Sequence, residues 1–145
     1  MTVEQISIFV ENAPGRLLAI TETLGNAGID LRALSLADTA QFGILRLIVN
    51  EPQRAAASLR EAGYVVSITP VLAAGLEDTP GSLAKILRLL ADAAINIEYL
   101  YAFAARKKDS AYVVFRVTDN AGAIAALQSG GVKVAGSEEI FDILI

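Results

Sequence analysis

An internal repeat restricts the possible folds of this chain more than any other feature of its sequence. The segment Asn12–Leu17 returns 66 positions later as Asp78–Leu83, with Pro-Gly and a leucine in register. Between residues 6–37 and 72–103, nine of the 32 aligned positions are identical. The shift then grows to 68, and the two additional residues fall in a charged hairpin tip, where insertions are tolerated. The chain is therefore interpreted as two copies of one unit, residues 1–70 and 71–145.

Each copy alternates between strand-like and helix-like patterns. In the first copy, Leu17, Ile20 and Leu24 recur at helical spacing after Pro14, which suits a first helical position because it has no N–H, and Gly28 ends the helix. The predicted elements of this copy are a strand at 5–10, this helix, strands at 29–37 and 42–49, a helix from Pro52 to Gly63, and a strand at 65–69.

The second copy has the same order of elements, and Thr69-Pro70 is the only linker-like segment between the two copies. Its predicted elements are a strand at 71–76, a helix at 81–93, strands at 95–103 and 111–117, a helix at 120–129, and strand character at 132–134 and 140–144. The order βαββαβ, found twice, predicts an α+β fold of two ferredoxin-like units. Each unit is expected to have an antiparallel sheet with both helices on one face.

The composition argues against an enzyme. The 145 residues include no histidine and no cysteine, which removes the commonest general base, the thiolate nucleophile and the commonest metal ligands. We therefore expect no catalytic residues, no metal and no cofactor. The net charge is −4 and neither half is basic, so no nucleic-acid partner is expected. The one basic cluster, Arg106-Lys107-Lys108, is interpreted as a solvated turn rather than a phosphate site.

The hydropathy pattern predicts a cytoplasmic protein with large apolar contacts. The mean hydropathy is +0.50, yet no apolar stretch has the roughly 18–20 residues that a spanning helix needs. The start of the chain has no basic region and does not resemble a secretion signal. No membrane association is expected. The apolar surplus is assigned to buried sheet faces and subunit contacts, which favours a homodimer.

Both copies resemble the ACT domain, a small regulatory module that binds amino acids. The resemblance rests on a first strand ending in Asn/Asp-x-Pro-Gly-x-Leu, an amphipathic helix, and then Gly-Ile-Asp-Leu or Ala-Ile-Asn-Ile opening the next strand. It covers nearly the whole chain, and no catalytic or DNA-binding domain accompanies it. The chain is therefore similar to a stand-alone tandem ACT protein.

The resemblance implies that the two units join side by side and that a small ligand, typically an amino acid, binds at the interface between units. The first strand-to-helix loop and the start of the second strand would supply the contacts. Carried over by position, the implied ligand-binding residues are Asn12, Ala13, Pro14, Gly15, Arg16, Leu17 and Asp30 in the first copy, and Asp78, Thr79, Pro80, Gly81, Ser82, Leu83 and Asn96 in the second.

The physical chemistry of this location agrees with the resemblance. A helix N-terminus offers unpaired N–H groups to a carboxylate, and a glycine lets a ligand approach the backbone. Side-chain oxygens of the Asn and Asp residues are candidate acceptors for an ammonium group. If the loop of one copy faces the strand of the other, Asn12 pairs with Asn96 and Asp78 with Asp30. The Asp78–Asp30 pocket would then hold two carboxylates and bind a cation better.

Leu17, Leu24, Leu83 and Leu90 are expected to be core residues, and structural roles remain open for the other candidates. Asn12 and Asp78 are equally well explained as helix caps or Asx turns, and the glycines as turn residues. Asp30 and Asn96 can be ordinary strand-start residues. Tyr99, Tyr101 and Phe103 alternate on one strand, which favours sheet-face packing or a subunit interface over an aromatic ligand wall.

The sequence thus favours a non-catalytic regulatory module that binds an amino acid and either signals through a separate partner protein or buffers its ligand. The alternative is a structural or oligomerisation protein whose ligand site is not functional. An enzyme on the same fold is disfavoured, because an acylphosphatase-like site needs a phosphate-cradling loop with arginine, and Arg16 is the only basic residue in either loop. An RNA-binding role is disfavoured because the aromatic strand has no basic surroundings.

Overall fold

The computed structural model describes residues 1–38, 40–104 and 110–143, which form two compact units. Glu4–Thr69 is the first unit, and Met1–Val3 together with the chain from Pro70 onward is the second unit. The basic cluster at residues 106–108 lies outside the described residues. No helix in the described part of the chain is long and apolar enough to cross a membrane.

The first unit contains four antiparallel strands and two helices. Its elements are β1 (Val3–Glu11), α1 (Arg16–Asn26), β2 (Leu31–Asp38), β3 (Phe42–Val49), α2 (Pro52–Glu61) and the beginning of β4 (Val66–Glu77). The strand order is β2-β3-β1-β4, with Ile8 opposite Leu45 in the β1–β3 pair. The connection from β1 to β2 therefore passes through α1 over one face of the sheet, and β3 pairs between these two strands.

The core of the first unit lies between the sheet and its two helices. Alternate residues of β1 point to one face, and Ile6, Ile8 and Val10 on that face are buried. They cluster with Leu24 of α1 and Leu59 of α2. Helical spacing of the apolar residues in α1 and α2 thus places both helices on the same face of the sheet.

The second unit repeats this arrangement and adds a short helix at its end. Its elements are the continuation of β4, α3 (Ser82–Asp92), β5 (Ile97–Ala104), β6 (Ser110–Val117), α4 (Asn120–Ser129), β7 (Val134–Ala135) and α5 (Ser137–Ile143). The strand order is β7-β4-β6-β5, equivalent to that of the first unit. Both units are ferredoxin-like α+β folds with antiparallel sheets, so the predicted fold class is confirmed.

The repeat extends to backbone conformation at the end of the first helix of each copy. Gly28 has a φ of 72°, as expected for a glycine that ends a helix in the left-handed region. Ala94 occupies the same place in the second copy and has a φ of 56°. The fold therefore imposes this conformation even where the side chain does not favour it.

Two elements differ from the sequence prediction. The strands expected at 65–69 and 71–76 form the single strand β4, and exposed Pro70 lies inside it. A proline is compatible with a strand where its missing N–H is not needed for the sheet. The strand character predicted at 140–144 is wrong over residues 140–143, which belong to α5, and Leu144 lies outside the described residues.

The helical state of α5 has a local explanation. Glu138 and Glu139 occupy its first turn, where the helix dipole favours negative charge. The N–H of Ile140 donates to the carbonyl of Gly136 at 3.1 Å, and the Oγ of Ser137 donates to the carbonyl of Thr2 at 3.1 Å. Ile140 is fully buried. A short apolar run such as Ile-Phe-Asp-Ile fits a strand and a buried helix equally well until such contacts are known.

The aromatic side chains of β5 pack against each other and beside the side chains of the neighbouring strand β6. The rings of Tyr101 and Phe103 meet edge to face, with centroids 5.6 Å apart. Their cross-strand neighbours in β6 are Val114 and Tyr112, which are both buried. These contacts agree with the sheet-face packing that the alternation of aromatic residues favoured.

Candidate ligand-binding site

The loop after β1 is a type II β-turn, and we call residues 12–16 the first elbow. The N–H of Arg16 donates to the carbonyl of Ala13 at 3.3 Å. Pro14 occupies the second position of the turn and Gly15 the third, with φ 80° and ψ −6°. Pro14 thus precedes the helix instead of starting it, which corrects the sequence prediction. The left-handed φ explains why glycine is needed at position 15.

The second elbow, residues 78–82, repeats this turn with different side chains. The N–H of Ser82 donates to the carbonyl of Thr79 at 3.2 Å, and Gly81 has φ 91° and ψ −5°. The Oγ of Ser82 also donates to that carbonyl at 2.9 Å and lies 2.8 Å from Thr79 Oγ1. The hydroxyl groups of the second elbow therefore bind to the elbow itself.

No side chain caps α1 or α3 among the described residues. The N-cap positions are Gly15 and Gly81, so the helix-cap interpretation of Asn12 and Asp78 is wrong. By contrast, Asp119 caps α4 by accepting a hydrogen bond from the N–H of Gly122 at 3.0 Å. The first turn of α1 thus keeps backbone N–H groups that no protein side chain satisfies.

A hollow of about 90 Å³ lies beside the first elbow, within the first unit. Two hydrophobic side chains, Leu17 of α1 and Leu36 of β2, line it together with Asn12 and Ala13 of the elbow. The remaining lining residues are Val10, Glu11 and Gly43. The structure thus brings three sequence-predicted residues, Asn12, Ala13 and Leu17, to one hollow. Pro14, Gly15 and Arg16 complete the adjoining turn but are not part of the lining.

A pair of opposite charges is present at this hollow. Glu11, a lining residue, forms an ion pair with Arg16, whose Nε lies 3.1 Å from Glu11 Oε2. Both side chains are mostly exposed, so the pair contributes less than about 1 kcal/mol to stability. A ligand that offers both charges can therefore replace this pair at little cost.

Asp30 lies away from the first elbow, at the other end of α1. The helix has 11 residues, which at 1.5 Å per residue separates its two ends by roughly 16 Å. The Oδ2 of Asp30 pairs with Arg32 Nη2 at 2.7 Å, and its backbone N–H donates to Asn50 Oδ1 at 3.0 Å. Within its own unit, Asp30 is therefore part of a strand-start network and does not reach the hollow.

The second-copy residues occupy equivalent places in their own unit. Asp78, Thr79, Pro80 and Gly81 are exposed at the second elbow, and Leu83 is on the first turn of α3. Leu17 and Leu83 are both more than a third exposed, so their predicted core positions are wrong. The buried leucines of α1 and α3 are Leu24 and Leu90, in later turns of the two helices. Asn96 precedes β5, and its carbonyl accepts from the N–H of Thr118 at 3.4 Å, as Asp30 does from Asn50. The roles of these residues in ligand binding stay predictions. No group of three or more acidic, histidine or cysteine residues suited to a metal ion occurs in the described part of the chain.

The sequence prediction missed four residues that line the hollow: Val10, Glu11, Leu36 and Gly43. Gly43 gives the clearest signal, because a lone glycine inside a strand pattern often marks a site of close approach. A Cβ at this position would lie 3.2 Å from Leu36 Cδ1 and 3.3 Å from the carbonyl oxygen of Ala37. The absence of this Cβ helps to keep the hollow open.

Comparison with known proteins now establishes the family. A family model described as an ACT domain pair matches residues 1–129. The chain belongs to the ACT domain family. The match covers the first unit and the second unit as far as Ser129. No curated protein sequence matches the chain.

Solved structures show the same fold. Protein BT0572 from Bacteroides thetaiotaomicron is 38% identical, with a TM-score of 0.91 over 97% of this chain and 96% of its own. The regulatory subunit of aspartate kinase from Thermus thermophilus is 18% identical, with a TM-score of 0.65 over 88% of this chain and 91% of its own. That from Thermus flavus is 17% identical, with a TM-score of 0.64 over 88% and 92%. The two Thermus subunits share the fold with this ACT pair.

Gly15 is left-handed and Gly25 is helical, so replacement of each by alanine should change the free energy of unfolding in opposite directions. Gly15→Ala should lower the free energy of unfolding by about 1–3 kcal/mol, because alanine is strained at a φ of 80° although nothing lies within 4 Å of its Cβ. Gly25→Ala, in the last turn of α1, should raise it by up to about 0.5–1 kcal/mol. Urea denaturation followed by circular dichroism measures both. Equal effects of the two substitutions would contradict the turn assignment.

Proposed function

We propose that this ACT pair is a non-catalytic regulatory module that binds a free amino acid at the first elbow. The observation that supports it is one juxtaposition: an uncapped helix start, a hollow lined by apolar side chains and an exposed ion pair meet at the same loop. The sequence-predicted residues Asn12, Ala13 and Leu17 belong to that loop and hollow. Arg16 contributes the cation of the ion pair.

An amino acid matches this arrangement because it carries a carboxylate, an ammonium group and a side chain in fixed relation. The carboxylate is directed to the first-turn N–H groups of α1 and to the guanidinium of Arg16. The ammonium group is directed to the carboxylate of Glu11 and the side-chain oxygen of Asn12. The side chain of the ligand then enters the hollow, where it covers Leu17 and Leu36. A ligand with one charge alone would leave one half of the Glu11–Arg16 pair unsatisfied.

Regulation follows if binding favours one conformation or assembly over another. The fold of this chain also forms the regulatory subunits of aspartate kinase in two Thermus species, so a pair of ACT units acts as a regulatory chain in those proteins. We propose that this chain likewise acts on a separate protein. A homodimer, ligand contacts from Asp78–Leu83, Asp30 and Asn96, and a ligand that bridges two ACT units stay predictions.

A thermal-shift screen of the twenty amino acids tests the proposal. At a concentration a hundred times its Kd, a ligand stabilises the folded chain by about 2.7 kcal/mol, which for a chain of this length raises Tm by about 5–10 °C. Arg16→Gln should weaken binding about tenfold or more, because it removes a charged hydrogen-bond donor to the carboxylate. Arg88→Gln, at an exposed position on α3, should leave binding unchanged.

The screen separates this proposal from the alternative role. If no amino acid raises Tm, the structural or oligomerisation protein of the sequence analysis is favoured, since specific binding must stabilise the folded state. If an amino acid binds but Arg16→Gln and Arg88→Gln behave alike, binding at the first elbow is contradicted.

A further inference from the structure

We infer that the hollow of the first elbow accepts the side chain of a branched aliphatic amino acid: valine, leucine or isoleucine. This inference rests on the proposed function and specifies its ligand class. It is carried by the size of the hollow, by the chemistry of its lining and by the residues that replace that lining in the second copy.

The size of the hollow matches a ligand side chain of a few carbon atoms. An apolar cavity of about 150 Å³ accepts benzene, a ring of six carbons. At the same volume per carbon, the hollow of about 90 Å³ has room for three to four carbons. Valine has three side-chain carbons, and leucine and isoleucine have four. An aromatic side chain exceeds this volume and would extend out of the open side of the hollow, and alanine leaves most of the hollow empty.

The lining favours a hydrocarbon over a charged or polar side chain. Val10, Leu17 and Leu36 supply apolar surface, and Gly43 adds no side chain. Leu17 is 37% exposed and Leu36 48% exposed, so a ligand side chain that covers them removes apolar area from water. The charged lining residue, Glu11, is already matched by Arg16 and by the ligand ammonium group. A lysine or aspartate side chain in the hollow would lose its hydration without a partner.

The second copy lacks the same combination of residues. Ala111 lies opposite Leu76 in the β4–β6 pair, as Gly43 lies opposite Val10 in the β1–β3 pair. The repeat also places Ala102 at the position of Leu36 and Ser82 at that of Arg16. The second copy therefore carries a methyl group in place of the glycine, a shorter side chain in place of Leu36 and no cation. The selectivity for branched aliphatic ligands is assigned to the first elbow alone.

Calorimetric titration of the full chain with L-leucine, L-valine, L-alanine, L-lysine and L-phenylalanine tests the inference. Each methylene group placed in the hollow should tighten binding about fourfold, so L-valine should bind about fifteen-fold more tightly than L-alanine. L-Lysine should bind at least as weakly as L-alanine, and L-phenylalanine should bind less tightly than L-valine. Leu36→Ala should weaken L-leucine binding about tenfold or more.

Leu34→Ala is the matched control for Leu36→Ala. Leu34 is on the same face of the same strand, is 51% exposed and does not line the hollow, so its substitution should leave L-leucine binding unchanged. The inference is overturned, while the proposed function stands, if a charged or aromatic amino acid binds more tightly than L-valine. It is equally overturned if Leu36→Ala and Leu34→Ala bind L-leucine alike. If no amino acid binds at all, the proposed function itself fails.

Discussion

Phe115→Ala is expected to lower the free energy of unfolding by about 3–5 kcal/mol. Phe115 is buried at the centre of the second unit, where it clusters with Ile86 and Leu90 of α3 and with Leu127 of α4. Truncation to alanine removes the ring from this core and leaves a cavity that the rigid sheet and helices close only in part. The loss therefore combines a transfer cost with a cavity cost.

Urea denaturation followed by circular dichroism measures this loss, and a neighbouring residue supplies the control. Leu100 lies opposite Phe115 in the β5–β6 pair but is 39% exposed. Leu100→Ala should therefore cost about 1 kcal/mol or less, since half-exposed side chains already contact water. If the two substitutions cost the same, Phe115 is not a core residue and the position of α3 and α4 over the sheet is wrong.

Ile140→Ala is expected to cost about 2–5 kcal/mol, the range for a fully buried isoleucine. This residue lies on α5, the element that the sequence prediction assigned to a strand. Because its side chain is fully buried, the loss of three carbons should lower the free energy of unfolding of the whole second unit. The same denaturation experiment measures the effect.

Glu138→Ala is the control for this substitution. Glu138 is exposed in the first turn of α5, so its replacement should change stability by no more than about 0.5–1 kcal/mol through the helix dipole. A loss for Ile140→Ala as small as that for Glu138→Ala would show that α5 does not pack on the second unit in solution.

The fold could be predicted because its signals are local and occur twice. Leu17, Ile20 and Leu24 identify α1 by spacing alone, and the repeat confirms the assignment through Leu83, Ile86 and Leu90 of α3. The bounds of β3 and α4 agree with the prediction to the residue. Local spacing suffices where one face of an element is buried, because burial then depends on the period of the apolar residues.

The sequence could predict the elbow of the candidate site but not the residues of β2 and β3 that line the hollow beside it. The elbow residues are contiguous, so the Pro-Gly motif finds them. The hollow also needs Leu36 and Gly43, which come to the elbow through the β2–β3 and β1–β3 registers. Register depends on contacts between residues far apart in sequence. A single sequence can mark Gly43 as a lone glycine inside a strand, but it does not show which residues lie close to it.

The two misassigned elements have a related cause. Pro70 was interpreted as an interruption, yet β4 continues through it, because the penalty for proline depends on whether a neighbouring strand needs its N–H. The residues of α5 were interpreted as a strand, because a run of four residues is too short to show a helical period. In both cases the decisive information is the surrounding structure.

The two elbows hold one main-chain shape with unlike side chains. A proline, a glycine and one amide-to-carbonyl bond define each bend, while Ala13 and Arg16 in one are Thr79 and Ser82 in the other. The main-chain atoms that fix each bend are therefore distinct from the side chains that would contact the proposed ligand. Substitutions at Ala13, Arg16, Thr79 or Ser82 can therefore change the chemistry that a bend presents while both bends keep the same main-chain shape.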